Sequence, residues 1–411
     1  MSTLITHIGT LLGIREDGKL RLRGAELRET GSLNDAWLIC QDGEIKDYGP
    51  MAELPDHAGM VTIDARGGHV IPAYCDSHTH IVFAQTREGE FQDRIAGLSY
   101  EQIAQRGGGI LNSVEKLRAM PEEELYEASY RRCLEIMQQG TGSIEIKSGY
   151  GLDTASELKM LRVARRLGEA LPLQVKTTLL AAHAYPREFA DDHAGYIDLI
   201  CDEIIPHVAE EGLADYIDAF CERGYFDAQE TERILEAGQK YGLRPKVHVN
   251  QFSSCGGIQS SLKYDALSVD HLEVMEGSDL EDVCQSDTIA TALPACSFFI
   301  DIPYTPARDI IDSNGLLALA TDYNPGSSPT GNMSFVLSLA CIRMNMHPIE
   351  ALNAATLNGA AAMELSDTTG SITRGKRADL IITRPMKEFA LLPYRFADRM
   401  IERVVLNGRP V

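Results

Sequence analysis

The residues best able to do chemistry in this sequence are histidines and aspartates at the ends of short apolar runs. His78 and His80 lie in residues 69–83, His-Val-Ile-Pro-Ala-Tyr-Cys-Asp-Ser-His-Thr-His-Ile-Val-Phe. Side chains of an extended segment alternate between faces, so two imidazoles two residues apart point the same way and reach one ion. Imidazole suits zinc, iron, copper and nickel alike, so the pair names no metal. Taken alone, it is equally two histidines at a strand end, one buried and hydrogen-bonded and one wet. Further along, His248 alternates with two valines in Lys-Val-His-Val-Asn, and Asp270-His271 ends another apolar run. Asp322 ends a further one in Ala-Thr-Asp-Tyr-Asn-Pro-Gly, and His183 follows yet another. Each has a plainer reading: Asp322 as a turn or helix cap, and the three histidines as hydrogen-bonded interior residues. Five histidines with aspartates beside them, at the ends of separate runs, favour a metal site over scatter.

The elements that must carry these residues alternate along the middle of the chain. Apolar, β-rich runs at 70–76, 143–146, 175–182, 217–221, 246–249, 266–270, 289–293 and 316–320 read as eight buried parallel strands. Amphipathic helical stretches such as 121–139, 156–171, 192–203 and 228–241 lie between them. Eight such units predict an α/β fold, a closed (β/α)8 TIM-type barrel over residues 67–368, where catalytic side chains collect at the carboxyl ends of strands. An open doubly wound sheet would announce a nucleotide with a glycine-rich first turn; Gly107-Gly108-Gly109 lies well past the first strand. The ends differ in texture. Residues 1–66 are short apolar runs punctuated by Gly18, Gly31, Gly43 and Gly49, and residues 369–411 repeat the pattern with an Asn407-Gly408 turn. They predict a small β-sandwich built from both chain ends, with the barrel inserted between them.

Composition narrows the partners. With 38 basic against 60 acidic residues among 411, the net charge of −22 repels nucleic acid and anionic membrane surfaces. A small anionic substrate would need a local cationic clamp. Nine cysteines, an odd number without a Cys-x-x-Cys pair, suit a reducing compartment. The amino terminus shows no basic leader, and no apolar run approaches the roughly 18 residues of a membrane span. A cytoplasmic enzyme is expected, and a homodimer, the commonest symmetric assembly.

The order His-x-His on strand one, His on strand five, Asp-His on strand six and Asp on strand eight resembles the amidohydrolase superfamily. Its members hydrolyse or deaminate cyclic amides, esters and aminoheterocycles at a metal in the barrel mouth. Gly370-Ser-Ile-Thr-Arg-Gly-Lys-Arg-Ala-Asp-Leu380 resembles that superfamily's return into its small β-sandwich. More narrowly, Phe83-Ala-Gln-Thr-Arg-Glu-Gly-Glu-Phe91, Gly107-Gly-Gly-Ile-Leu111, Lys147-Ser-Gly-Tyr-Gly-Leu152 and Ala320-Thr-Asp-Tyr-Asn-Pro-Gly-Ser-Ser328 resemble its branch active in histidine degradation. The likeness spans nearly the whole chain.

That resemblance implies hydrolytic opening of 4-imidazolone-5-propanoate to N-formimidoyl-L-glutamate. It implies one divalent ion, zinc or iron, held by His78, His80, His248 and Asp322; strand four offers Phe220, Cys221 and Glu222 but no lysine to bridge a second ion. Asp322 and His271 would be the catalytic pair, helped by Asp270 or Glu273. Arg87 would clamp the propanoate, with a surface pair to Glu88 or Glu90 as the plainer alternative. Tyr150, His183, Gln251, Asn324, Gly326 and Ser327 would contact substrate or product. One position departs from the branch, which often carries glutamate three residues after the strand-five histidine. Gln251 can bind a ring but cannot shuttle a proton. A deaminase or hydrolase of a related ring on the same scaffold, and an inactive barrel kept for binding, are the alternatives.

Overall fold

The computed structural model describes residues 2–98 and 108–411, so Gly107 of the triple glycine lies outside the described residues. Five strands come first: β1 (Ser2–Ile14), β2 (Gly31–Gln41), β3 (Glu44–Pro50), β4 (Val61–Asp64) and β5 (Gly68–Pro72). Eight follow, separated mostly by helices: β6 (Tyr74–Asp76), β7 (Thr141–Lys147), β8 (Gln174–Ala182), β9 (Tyr216–Cys221), β10 (Arg244–Val249), β11 (Ser268–His271), β12 (Ile289–Ala292) and β13 (Leu317–Leu319). Three close the chain: β14 (Leu380–Pro385), β15 (Ile401–Leu406) and β16 (Arg409–Pro410).

Both ends of the chain share one eight-stranded sheet, ordered β16-β15-β14-β5-β1-β2-β3 with β4 on β1. Its core is apolar, with Ile5, Ile8, Val70, Leu380 and Val405 buried together. Two hairpins rest on turn chemistry. Asp42-Gly43 (φ 52° and 92°) joins β2 to β3, and Asn407-Gly408 (φ 51° and 72°) joins β15 to β16. Two consecutive left-handed residues are the geometry that Asp-Gly and Asn-Gly favour between twisted strands.

The run 70–76, expected as a single barrel strand, is divided. Gly68–Pro72 pairs with β1 and β14 in the end sheet, and only Tyr74–Asp76 pairs with β7 in the barrel. Pro72 has no N–H to offer a ladder, and the chain changes sheets there: Ala73 N–H bonds the Asp379 carbonyl at 2.9 Å and Tyr74 N–H that of Gly140 at 2.9 Å.

The eight middle strands run parallel in sequence order from β6 to β13. The ring is closed by the residues that follow its two edge strands. Thr79 bridges Tyr323 in parallel, Asp322 N–H bonds the His78 carbonyl at 3.0 Å, and His80 N–H bonds the Tyr323 carbonyl at 2.9 Å. Below that seam the Asp76 carboxylate accepts from Thr321 N–H (2.9 Å) and Oγ1 (2.7 Å). The outer helices begin on caps legible in sequence, Asp153 before Thr154–Ala170 and the Asp227/Glu230 capping box before Ala228–Lys240. The helix expected over 192–203 runs on to Glu210 through a π turn at Ile200–Ile204, next to Pro206, which donates no helical hydrogen bond.

The helix Leu357–Ala361 presses on β6, the strand that leads into His78 and His80. A Cβ at Gly359 would stand 2.3 Å from the Cys75 carbonyl oxygen. Gly359→Ala should therefore cost about 1–3 kcal/mol in urea unfolding, as overpacking against backbone does. An unchanged midpoint would mean the helix slides freely on the strand.

Candidate active site and metal centre

The closing seam delivers the histidine cluster. His78 is fully buried, and its Nδ1–H donates to Asp270 Oδ2 at 2.7 Å, while its Nε2 has no hydrogen-bond partner. On β10, His248 Nδ1–H donates to Asp218 Oδ2 at 2.8 Å. A carboxylate on Nδ1 holds the proton there and turns the Nε2 lone pair inward. The other ends of these rings converge. His80 Nε2 lies 3.3 Å from His248 Nε2, and Asp322 Oδ1 lies 3.5 Å from His80 Nε2 and 3.6 Å from His78 Nε2. Two overlapping trios of donor atoms, His78/His80/Asp322 and His78/His248/His271, each fall within 4.8 Å.

These residues fit a divalent ion. Donors at zinc–nitrogen distances of about 2.0–2.1 Å in a tetrahedron lie about 3.3 Å apart, close to the spacing found. The orphaned, buried Nε2 of His78 is otherwise a polar atom without purpose. Burial, reinforced by Lys147 and neighbouring rings, pushes His78, His80 and His248 well below the usual imidazole range, so they stay neutral as ligands must. Burial raises the Asp322 carboxyl to about 6. Asp322 is also held at φ 54°, and His271 at φ 89°, left-handed conformations that cost non-glycine residues energy and gather at functional sites.

Beneath the histidines lies a group that reading the strand ends passed over. The fully buried Lys147 ammonium stands 2.7 Å from Glu145, 2.9 Å from Asp218 and 3.5 Å from Asp270. Lys246 adds a second cation, 3.0 Å from Glu145. Burial opposes the charge of Lys147, but Asp218, Glu145 and Asp270 outweigh it and raise its pKa. Lys147 favours the anionic form of the two carboxylates that orient His78 and His248: burial still raises Asp218 to about 6, whereas at Asp270 burial is outweighed by Lys246 and Lys147 together and the pKa falls. The signal was in the sequence: Glu145 and Lys147, two apart on one apolar strand and so on one face, and Asp218 and Lys246, each on another, are charged residues within apolar runs.

Above the cluster opens a cavity of about 580 Å³. Every site residue expected from sequence lines it except His78, which sits behind the others. Arg87 shows both of its expected faces: its guanidinium lines the cavity and is forked on Glu90 at 2.9 and 2.5 Å. Gly326 packs so closely on it that a Cβ there would stand 2.1 Å from Nη1. His183 donates from Nδ1 to the Gly149 carbonyl at 2.9 Å, stacks on His80 with centroids 5.3 Å apart, and is pushed down to about 4 by burial. Tyr150 lies against both rings. His271 Nδ1 faces Glu273 Oε1 at 3.3 Å; burial disfavours its charged form, but Glu273 outweighs this and raises its pKa. The Asn324 amide is committed to its own loop, bonding Gly326 N–H, Ser327 N–H and the Asp322 carbonyl at 2.7–2.8 Å. Arg94, on the helix Glu88–Ile95, and the loop residues Arg223 and Phe252 also line the cavity, and no strand-end position or periodicity marks them in the sequence.

Residues 69–411 match the amidohydrolase family. The chain is 54% identical over 409 residues to an imidazolonepropionase of Christiangramia forsetii and 53% identical to one of Flavobacterium johnsoniae, covering 100% of both chains in each case. The chain belongs to the amidohydrolase family, and within it to the imidazolonepropionases. Its fold is that of an adenosine deaminase from Xanthomonas campestris solved with bound zinc, at a TM-score of 0.74 and 15% identity over 99% of this chain and 92% of the other.

The Asp218–His248 bond generates a test. In Asp218→Asn the amide cannot satisfy Lys147 and the His248 Nδ1–H as well as a carboxylate does. Zinc affinity, measured by competition with a chromophoric chelator, should fall by about 10–100-fold. Unchanged affinity would show that the imidazole holds its orientation without the aspartate.

Proposed function

We propose that this chain hydrolyses 4-imidazolone-5-propanoate to N-formimidoyl-L-glutamate, the ring-opening step of histidine degradation. The observation that carries the reading is the convergence of three donor histidines and a buried aspartate at the floor of one cavity that an arginine lines, in a chain 54% identical end to end to an imidazolonepropionase. His78, His80, His248 and Asp322 would hold one divalent ion, zinc or iron. Such an ion supplies acidified water and a positive charge that polarises a carbonyl.

The protein's own groups complete the reaction. Arg87, already anchored by Glu90, presents its guanidinium to the propanoate carboxylate, the one charge fixed on the substrate. Tyr150 and His183 wall the ring from solvent, and Ser327 and Gly326 shape the opposite side. Asp322, raised by burial, takes the proton of the attacking water; His271, favoured in its protonated form by Glu273, hydrogen-bonds the ring carbonyl oxygen. The bond between carbonyl carbon and ring nitrogen breaks. The carbon becomes a carboxylate, and both water protons end on the nitrogens of the formimidoyl group. Gln251 binds the ring without titrating, so proton transfer rests on Asp322 and His271. The enzyme works as a cytoplasmic homodimer on a small anionic heterocycle.

The purified protein, given imidazolonepropanoate generated in place by urocanase, should consume it, lose that activity on treatment with a chelator, and regain it with zinc or iron(II). Persistence of the imidazolone with a fully metallated protein would overturn the assignment. Arg87→Met should raise KM at least about tenfold, the loss of a charge-assisted pair, with a smaller change in kcat. An unchanged KM would place the carboxylate elsewhere.

A further inference from the structure

Two walls of the cavity are irregular loops, and both are tied to carboxylates that the proposed reaction does not use. The end of β9 and the turn after it give Phe220, Arg223 and Tyr225 to the lining, and the loop after β10 gives Gln251 and Phe252. Glu222 joins the two. Its side chain is buried; Oε1 accepts from Arg223 N–H at 2.9 Å and from the Ser253 hydroxyl, and Oε2 accepts from Phe252 N–H at 2.8 Å and Ser253 N–H at 3.2 Å. Its own backbone is fixed, since Glu222 N–H bonds the Phe226 carbonyl at 3.1 Å and the Glu222 carbonyl accepts from Tyr225 N–H at 2.9 Å. Asp279, which opens the helix Asp279–Gln285 after β11, grips the same loop from the other flank. It is buried too, and its Oδ2 accepts from Asn250 Nδ2–H at 2.9 Å and from the Ser254 hydroxyl at 2.8 Å. Five donors of residues 250–254 thus end on two carboxylates, and between the two grips stand Gln251 and Phe252.

Resting on the function proposed above, we infer that Glu222 and Asp279 are positioning residues of the substrate site, holding Gln251 and Phe252 in the cavity wall before the ring arrives. A loop outside any ladder must find partners for its N–H groups, and bonds to a carboxylate are charge-assisted, about twice as strong as neutral ones. The loop is therefore held as firmly as an element of regular structure. A wall fixed in advance spares the ligand the entropy of ordering it. An amide in place of either carboxylate offers one oxygen and turns its NH2 toward the donors, leaving a buried N–H or hydroxyl unpaired. The loss then falls on affinity rather than on the chemical step, which Asp322 and His271 carry.

Two measurements test this, one free of substrate. In the zinc-loaded protein, amide hydrogen exchange over residues 250–256 should quicken about tenfold or more in Glu222→Gln and in Asp279→Asn, the loss of a charge-assisted bond, while β6 and β13 exchange as in the wild type. In imidazolonepropanoate kinetics at equal metal content, each variant should raise KM by about 3–10-fold with kcat within about twofold. In a protein already carrying Gln251→Ala and Phe252→Ala, the same substitutions should shift KM by less than about twofold, because the side chains they position are gone. A loop that exchanges as slowly in the variants as in the wild type, or a KM loss that persists in full without Gln251 and Phe252, overturns the inference. Either variant carries the test if the other fails to fold. If the wild type leaves the imidazolone ring closed, the functional reading falls, while exchange of the loop still decides whether the two carboxylates hold it.

Discussion

The structure depends on one arrangement: a buried ammonium favouring the anionic form of two carboxylates, and each carboxylate holding the Nδ1 proton of an imidazole. Lys147 stands between Asp218 and Asp270, and these two set the tautomers of His248 and His78. Removing five charged groups from water is costly, and the expense is offset only because every charge faces an opposite one at 2.7–3.5 Å. The result is a set of neutral rings with lone pairs aimed at one point. A pore filled with aliphatic side chains would be as well packed and chemically inert.

The barrel's closure and its chemistry use the same backbone. The bonds that join the last strand to the first are made by His78, His80, Asp322 and Tyr323 themselves. The strain at Asp322 is sustained because that closure over-determines its conformation. Asp76 and Thr321 brace the seam from below, and the helix Leu357–Ala361 presses β6 from outside. Fold stability and ligand geometry are therefore hard to separate at this edge.

The electrostatics of the whole and of the mouth have opposite sign. A net charge of −22 would discourage an anion, yet Arg87, Arg94 and Arg223 all line the cavity. Glu90 fixes the direction of Arg87 at the cost of part of its charge, trading attraction for orientation. Gln251 follows the same economy: a neutral amide in the cavity wall adds no negative charge to a site already lined by Glu90 and Asp322.

Sequence by itself determined the eight-strand alternation, the β-rich ends and which histidines and aspartates stand at strand ends, because strand period and strand-end position are local properties. His78, His80, His248, His271 and Asp322 were legible for that reason, and Arg87, Tyr150 and His183 through the motifs they sit in. The division of 70–76 between two sheets was not, since Pro72 changes partners only when β14, more than 300 residues later in the chain, comes back to pair. Nor was the role of Lys147, Asp218 and Asp270: a charge in the middle of an apolar strand shows that something buried must neutralise it, but not which residue of another strand does. Tertiary structure alone decided those pairings, because hydrogen bonds between strands are set by register around a closed ring and not by any spacing along the chain.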